Sequence, residues 1–252
     1  MNKAVIGIVV VLLLAGGAFL LLRKGPSQGT PPSTVGKKDS SIATTEAKFS
    51  TPKKSAHWES NTPEHASILA GVPINVVINF NFDLAQSSKI EIMMNGEDFA
   101  AGVTTIDNNG LAMRRRMEPT APDGIYTILY NACWADGSCH DGQFQFKIDR
   151  NTSSEFVDLT GQDEVTINLQ NIAFIPLRVK VSKGTKVTWV NQDNVEHTVN
   201  TDSHPAHTYF AEQNSRTLAN GDTYSLTFNE VGIYPYHCTP HAETMKGQIL
   251  VE

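Results

Sequence analysis

The chain has 252 residues, of which 18% are charged and 8% aromatic, and its net charge is −6. That length suffices for one large domain or two small ones, each able to bury a core. The negative balance argues against nucleic acid or a strongly anionic surface as the main partner. The charge is also uneven along the chain. Residues 23–65 carry seven Lys and Arg against four Asp and Glu, residues 66–159 six against twelve, and residues 160–252 six against ten. A basic stretch therefore precedes two acidic ones.

Residues 4–22 (AVIGIVVVLLLAGGAFLLL) form an uncharged run between Lys3 and the pair Arg23-Lys24. At about 1.5 Å per residue the run spans roughly 28 Å, close to the hydrocarbon thickness of a bilayer. A cleaved leader needs a shorter apolar core followed by a small-residue site. Here the run continues past Ala15-Gly16-Gly17 and ends on two basic residues. An uncleaved, single-pass transmembrane anchor is expected over residues 1–24. Its flanking charges are nearly balanced, so the charge rule does not set the topology. The extracytoplasmic placement of the rest rests on the cysteine and metal chemistry below. Residues 25–62, rich in Ser, Thr, Pro and Lys, cannot bury enough surface to offset chain entropy and are expected to form a flexible stalk.

From residue 63 to 150 the texture is that of an all-β domain. Val76 to Asp83, Lys89 to Met94, Gly124 to Asn131 and Gln143 to Ile148 are short β-branched and aromatic segments, several of them separated by Asn-Gly and Asp-Gly turn signals. No stretch keeps a helical period, and a small Ig-like sandwich is expected. Met93, Met94, Met113 and Met117 are expected in its core, and Arg114-Arg115-Arg116 at a solvated strand end. An acidic join over 151–162 leads to a second β set at 163–252. Its strands are expected at Val165 to Leu169, Leu177 to Val181, Lys186 to Val190, Tyr224 to Phe228, Ile233 to His237 and Gln248 to Val251. Six short strands in so few residues suggest a Greek-key sandwich.

The chemistry concentrates in YHCTPHAETMKG, residues 236–247, where Cys238, His241 and Met245 share one loop between two strands. His197 lies upstream in VEHTV. A soft thiolate, two imidazoles and a weak thioether suit copper cycling between its two oxidation states. Zinc is the chemical rival, but a structural zinc site ordinarily takes four strong ligands. A two-copper thiolate centre needs a second cysteine in the loop, which holds Cys238 alone. His204 and His207 (SHPAHTYF) fall between the first ligand and the ligand loop; they are expected to be solvated, with lining of the metal face or binding of a second ion as the alternative. Thr198 and Thr239, each following a candidate ligand, are candidates for hydrogen bonds across the site.

Residues 163–252 resemble the plastocyanin, pseudoazurin and amicyanin branch of the cupredoxins. The matching stretches are GTKVTWVNQD at 184–193, EHTV at 196–199 and GDTYSLTFNEVGIYPYHCTPH at 221–241, followed by Met245-Lys246-Gly247. The resemblance implies a type 1 copper with His197, Cys238 and His241 as strong ligands and Met245 as the axial one. It also implies that the His241 imidazole lies near the surface as a short route for electrons. Three residues separate His241 from Met245, where plastocyanins typically have four and amicyanins two.

With Cys238 assigned to copper, Cys133 and Cys139 remain, in NACWADGSCHDG. Flanking an Asp-Gly turn, they could close a small disulfide loop, which needs an oxidising compartment; thiolate metal ligation is the alternative. Residues 65–149 resemble, more weakly, the periplasmic copper-resistance family typified by CopC. The likeness lies in HASILAGVP, INFNFD and APDGIYTILYNACWADGSCHDGQFQFKID. It implies a second copper site, with His65, His140 and Asp136 or Asp141 as the corresponding ligands. His65 is internal here, whereas in that family the early His is the processed N-terminus.

The expected function is single-electron transfer by a membrane-anchored, extracytoplasmic blue-copper protein, working with redox partner proteins at the membrane. The alternative is copper binding, storage or delivery by the paired domains. No Ser/His/Asp constellation, phosphate loop or paired-carboxylate signature points to an enzyme. A multicopper oxidase or reductase subunit would need type 2 or trinuclear ligands, and the His-x-His motifs of such centres are absent.

Overall fold

The computed structural model describes residues 48–252. The segment 4–22 and residues 25–47 of the expected stalk lie outside them. Among the described residues no helix is long and apolar enough to cross a membrane.

Two β-sandwiches follow one another. The first holds β1 (Trp58–Thr62), β2 (Ile68–Leu69), β3 (Asn75–Phe80), β4 (Lys89–Met94) and β5 (Glu97–Asp98). It continues with β6 (Ala100–Ile106), β7 (Ala112–Met117), β8 (Gly124–Cys133) and β9 (Cys139–Ile148). One sheet runs β1-β3-β7-β6 and the facing sheet β2-β9-β8-β4-β5. The second sandwich holds β10 (Val157–Asp158), β11 (Glu164–Leu169), β12 (Phe174–Ile175), β13 (Arg178–Val181) and β14 (Lys186–Asn191). It closes with β15 (Asn200–Thr201), β16 (Thr223–Thr227), β17 (Gly232–His237) and β18 (Lys246–Val251). Its sheets run β10-β13-β18-β17-β15 and β12-β11-β14-β16.

Alternation explains both interiors. In β8 and β9, Tyr126, Ile128, Tyr130, Phe144, Phe146 and Ile148 face the first core, and the hairpin they form ends at the pair Cys133↔Cys139. These two cysteines form a disulfide with a Cα–Cα distance of 4.0 Å. In the second sandwich Trp189 is fully buried against Tyr224, Phe228 and Tyr236, and it anchors β14 to β16 and β17.

Three expectations are corrected. The stalk does not run to residue 62: Lys53 bridges Gln143, and β1 pairs with β3 because Trp58 packs on the first core. Residues 151–162 are no free linker. Phe156 closes the first core, while Val157 and Asp158 pair in parallel with Val179 and Lys180 of the second sandwich. Of the arginine run only Arg116 is solvated as expected, and Arg114 and Arg115 are half-buried. Met113 and Met117 of β7 point into the first core, and Arg114 and Arg116 share the opposite face with Ala112, which belongs to the second core. Arg114 pairs with Asp107 and donates to Thr208 O at 2.9 Å, and Arg116 pairs with Glu230. Arg115 turns back to Asp98 at 3.1 Å and to the Ile90 carbonyl.

The same two-sided logic governs β3, every residue of which is buried. Val76, Ile78 and Phe80 fill the first core, whereas Val77 belongs to the second and Asn75 and Asn79 hydrogen-bond to it. A strand covered on both faces takes a mostly apolar sequence, and the two buried asparagines of β3 are hydrogen-bonded. The sandwiches therefore share a packed seam within one compact unit. Tyr209, fully buried, accepts from Ile74 N–H at 2.9 Å and donates to Ile233 O at 2.7 Å, tying one sandwich to the other. At Gly232 a Cβ would meet Ile74 Cγ2 at 2.6 Å and Val72 O at 2.9 Å, so only glycine lets the two segments approach there.

Candidate metal centre

Strand β17 carries the chain to the end of the second sandwich, pairing as far as His237↔Lys246. Pro240 then sits at the start of a single 3₁₀ turn, Thr239–His241, where its fixed φ suits a turn and its missing N–H costs nothing. His241 N–H donates to Cys238 O at 2.9 Å, Met245 N–H to His241 O at 2.9 Å, and Cys238 N–H to Met245 O at 3.0 Å. The backbone thus closes the loop on itself and brings Met245 back beside Cys238. His197 comes from the connection between β14 and β15, where it exchanges backbone hydrogen bonds with Leu218 at 3.1 and 2.8 Å.

These elements bring His197, Cys238 and His241 together, with ligand atoms all within 4.8 Å of one another. Nδ1 of His197 and Nδ1 of His241 each lie 3.5 Å from Cys238 Sγ. His197 and Cys238 are fully buried and Met245 is 1% exposed, whereas His241 is partly exposed. The far nitrogen of His197, Nε2, is 2.9 Å from Asp193 Oδ2. A carboxylate at that position holds the proton on Nε2 and leaves the Nδ1 lone pair for a metal. Asp193 itself is anchored by the N–H groups of Asn171 and Ile172 at 2.8 and 2.9 Å. The Ile172 N–H, with the His197 ring, holds the Asp193 carboxyl below the usual carboxylate range.

Cys238 Sγ accepts from Thr198 N–H at 3.4 Å, and Thr198 Oγ1 accepts from Thr239 N–H at 2.9 Å. Both threonines therefore span the two ligand-bearing segments. Burial pushes the Cys238 thiol up, so a thiolate there needs a cation beside it. A buried thiol with two imidazole Nδ1 atoms 3.5 Å from its sulfur, and a buried methionine on the same loop, is a donor set that copper fits. Zinc fits it less well, because Asp193 is committed to His197 and the thioether is a poor fourth ligand for zinc.

The residues considered for a second copper site are not brought together. His65 Nδ1 accepts from Gln145 N–H at 3.1 Å, while His140 stands at the far end of β9 opposite Ala132, its ring 5.3 Å from that of Trp134. Five strand residues at about 3.3 Å each separate Gln145 from His140, roughly 17 Å. Asp136 caps the hairpin turn, accepting from Ser138 N and Oγ at 2.9 and 2.6 Å, and that hydroxyl in particular lowers its pKa. Asp141 accepts from Asn131 Nδ2 at 2.8 Å.

His204 is exposed, as expected, whereas His207 is half-buried. They converge with His237 into a second group whose nitrogens lie within 4.8 Å of one another. From the sequence alone His237 is only the end of the strand expected at Ile233 to His237. Its signal was position: it precedes Cys238 on a strand, so its side chain must leave on the opposite side. Burial and the neighbouring His237 push His207 down to about 4, which keeps its ring neutral at neutral pH.

Soft and borderline donors held on a rigid two-sheet frame mark the molecule, as a class, as a blue-copper protein of cupredoxin fold. Residues 161–252 match the family of copper binding proteins described as plastocyanin/azurin, and residues 58–149 match the CopC domain. The chain belongs to the plastocyanin/azurin family, with a CopC domain preceding the family domain. It is 35% identical to amicyanin-alpha of Methylorubrum extorquens over 34% of this chain and 70% of that protein. It is 35% identical to halocyanin of Natronomonas pharaonis over 39% of this chain and 62% of that protein. With plastocyanin of Solanum tuberosum the identity is 36% over 32% of this chain and 89% of that protein. Among solved structures, a purple cupredoxin from Nitrosopumilus maritimus is 28% identical, with a TM-score of 0.31 over 35% of this chain and 99% of that one.

Proposed function

We propose that this chain is a single-electron carrier, held at the extracytoplasmic face of a membrane by residues 4–22, with His197, Cys238, His241 and Met245 binding one type 1 copper. The observation that carries the reading is the approach of two imidazole Nδ1 atoms to 3.5 Å from one buried thiol sulfur. Copper supplies the one-electron chemistry, and the protein supplies everything else. The closed backbone loop and the Thr198–Thr239 contact hold the donors in one arrangement, which keeps reorganisation small when the charge changes. Burial of His197 and Cys238 excludes water. The partly exposed His241 edge is the shortest way from Sγ to a docked partner. An acidic second domain would favour a basic partner, with affinity falling as salt rises. The disulfide Cys133–Cys139 is in keeping with an oxidising compartment.

The match of residues 58–149 to the CopC domain favours one further reading, copper capture and delivery by the paired domains. One experiment separates the readings. The chain is loaded with Cu(II), its visible spectrum recorded beside that of Cys238→Ser, and a redox titration follows. An intense blue band that is absent from the variant, with a reversible one-electron potential, is expected for a carrier. A colourless Cu(II) complex in the folded, thiol-reduced chain would sink the electron-transfer reading. Loss of bound copper from His140→Ala would support capture by the first domain.

A further inference from the structure

The histidine cluster beside the copper ligands has the features of a built site. His237 is 2% exposed, and its Nδ1 lies 2.8 Å from Asp202 Oδ1, which fixes the proton on Nδ1 and turns the Nε2 lone pair toward His207. Nε2 of His207 is 3.2 Å from Nε2 of His237 and 3.2 Å from Thr239 Oγ1. The His204 ring stands 5.6 Å from that of His207 and 5.4 Å from that of His237, edge-on to both. A hydrogen bond between His207 and His237 alone would not call for the third imidazole.

The supports come from the other sandwich. Ser203 Oγ is 2.8 Å from Ser60 Oγ and accepts from Asn79 Nδ2 at 2.9 Å, and Thr208 Oγ1 donates to Asn79 Oδ1 at 2.7 Å. Within the loop, His207 N–H donates to Ser203 O at 2.7 Å, and His207 takes a left-handed φ of +52°. A histidine held in that region is a strained arrangement that the surroundings must impose. His204 and His237 also border a cavity of about 550 Å³ that His65 and Phe144 of the first sandwich line from across the seam. Metal entry and a further small ligand therefore have room.

We propose that His204, His207 and His237 form a second metal site that takes a Cu(II) ion through three imidazoles, with its remaining positions open to the cavity between the sandwiches. Imidazole donors without a thiolate suit Cu(II), which binds such sites more tightly than the other divalent first-row ions. Asp202 is the positioning residue for His237. Because His237 and Cys238 are consecutive, this ion and the type 1 copper are joined by a single peptide link. The first domain is then part of the site's frame, holding the loop that carries two of its three ligands.

The test uses the full chain, titrated with Cu(II) and followed by electron paramagnetic resonance, visible absorption and metal analysis. A Cu(II) signal with nitrogen couplings, distinct from the blue site and carrying no intense colour, is expected alongside the blue band. His204→Ala, at an exposed position, should bind that ion more than about tenfold more weakly, or lose it, while the blue band keeps its height. His207→Asn, which tolerates the left-handed φ, should do the same to the second signal. Asp202→Asn should weaken it by about 10- to 100-fold. Equal copper stoichiometry and an unchanged second signal in the parent and in both histidine variants would overturn the proposal. So would the absence of any Cu(II) beyond the blue site in the parent. Loss of the blue band in the parent would speak instead against the electron-carrier reading.

Discussion

Asp193 does two things with one carboxylate. It orients His197 through Nε2, and it holds the N–H groups of Asn171 and Ile172, both of which lie at a positive φ of 56°. The second task prepares the first, because a carboxylate clamped by two backbone donors cannot swing away from the ring. Replacing it by asparagine keeps the shape but weakens the acceptor facing Nε2–H. Asp193→Asn is expected to lower copper affinity by about 10- to 100-fold, measured by competition with a chelator of known affinity. An unchanged affinity would assign Asp193 to the turn alone. Cys238 shows the complementary logic. The burial that raises its thiol makes the metal-free site reluctant to ionise, so proton release should accompany metal uptake.

At the scale of elements, the short strand β10 is where the two sandwiches are spliced. It pairs with β13, and Asp158 contacts Lys180 at 2.8 Å. The Lys180 ammonium, helped by the Thr160 hydroxyl and N–H, draws the Asp158 carboxyl down to about 2. A folded value below the unfolded one means that the contact favours folding above a pH of about 4. That preference is lost as the pH falls toward about 2. Asp158 should therefore titrate near 2 by nuclear magnetic resonance, and in Lys180→Ala its midpoint should move up toward the ordinary value of about 4. A midpoint that stays in place would shift the credit to Thr160. Strand β7 teaches a related point. Three consecutive arginines read as polar, yet alternation sends Arg114 and Arg116 to the seam and Arg115 to the other face. A two-sided strand hides its role from any reading that treats charge as exposure.

At the scale of the whole molecule, the seam is expected to make the two sandwiches unfold together, and Tyr209 is its most economical test. Its hydroxyl, kept protonated by complete burial, satisfies Ile74 N–H and Ile233 O from opposite sandwiches. Tyr209→Phe removes that oxygen and leaves buried polar groups unpaired, at a cost of about 1–3 kcal/mol. Urea denaturation followed by both near-ultraviolet dichroism and the blue band should show one shared transition at a lower midpoint. Two separated transitions in the parent chain would contradict the shared seam. The sequence by itself determined what is local: the strand periods of β4, β8, β9, β11 and β14, and the spacing that lets Cys238, His241 and Met245 share one loop. It determined these because a two-residue period and a short loop are properties of neighbours along the chain. Only the tertiary structure decided that β3 is buried on both faces and that His65 contacts β9 at Gln145, five residues along the strand from His140. It alone decided, too, that His204 and His207 meet His237. Those outcomes depend on one sandwich packing against the other, and packing between distant segments leaves no period in the chain to read.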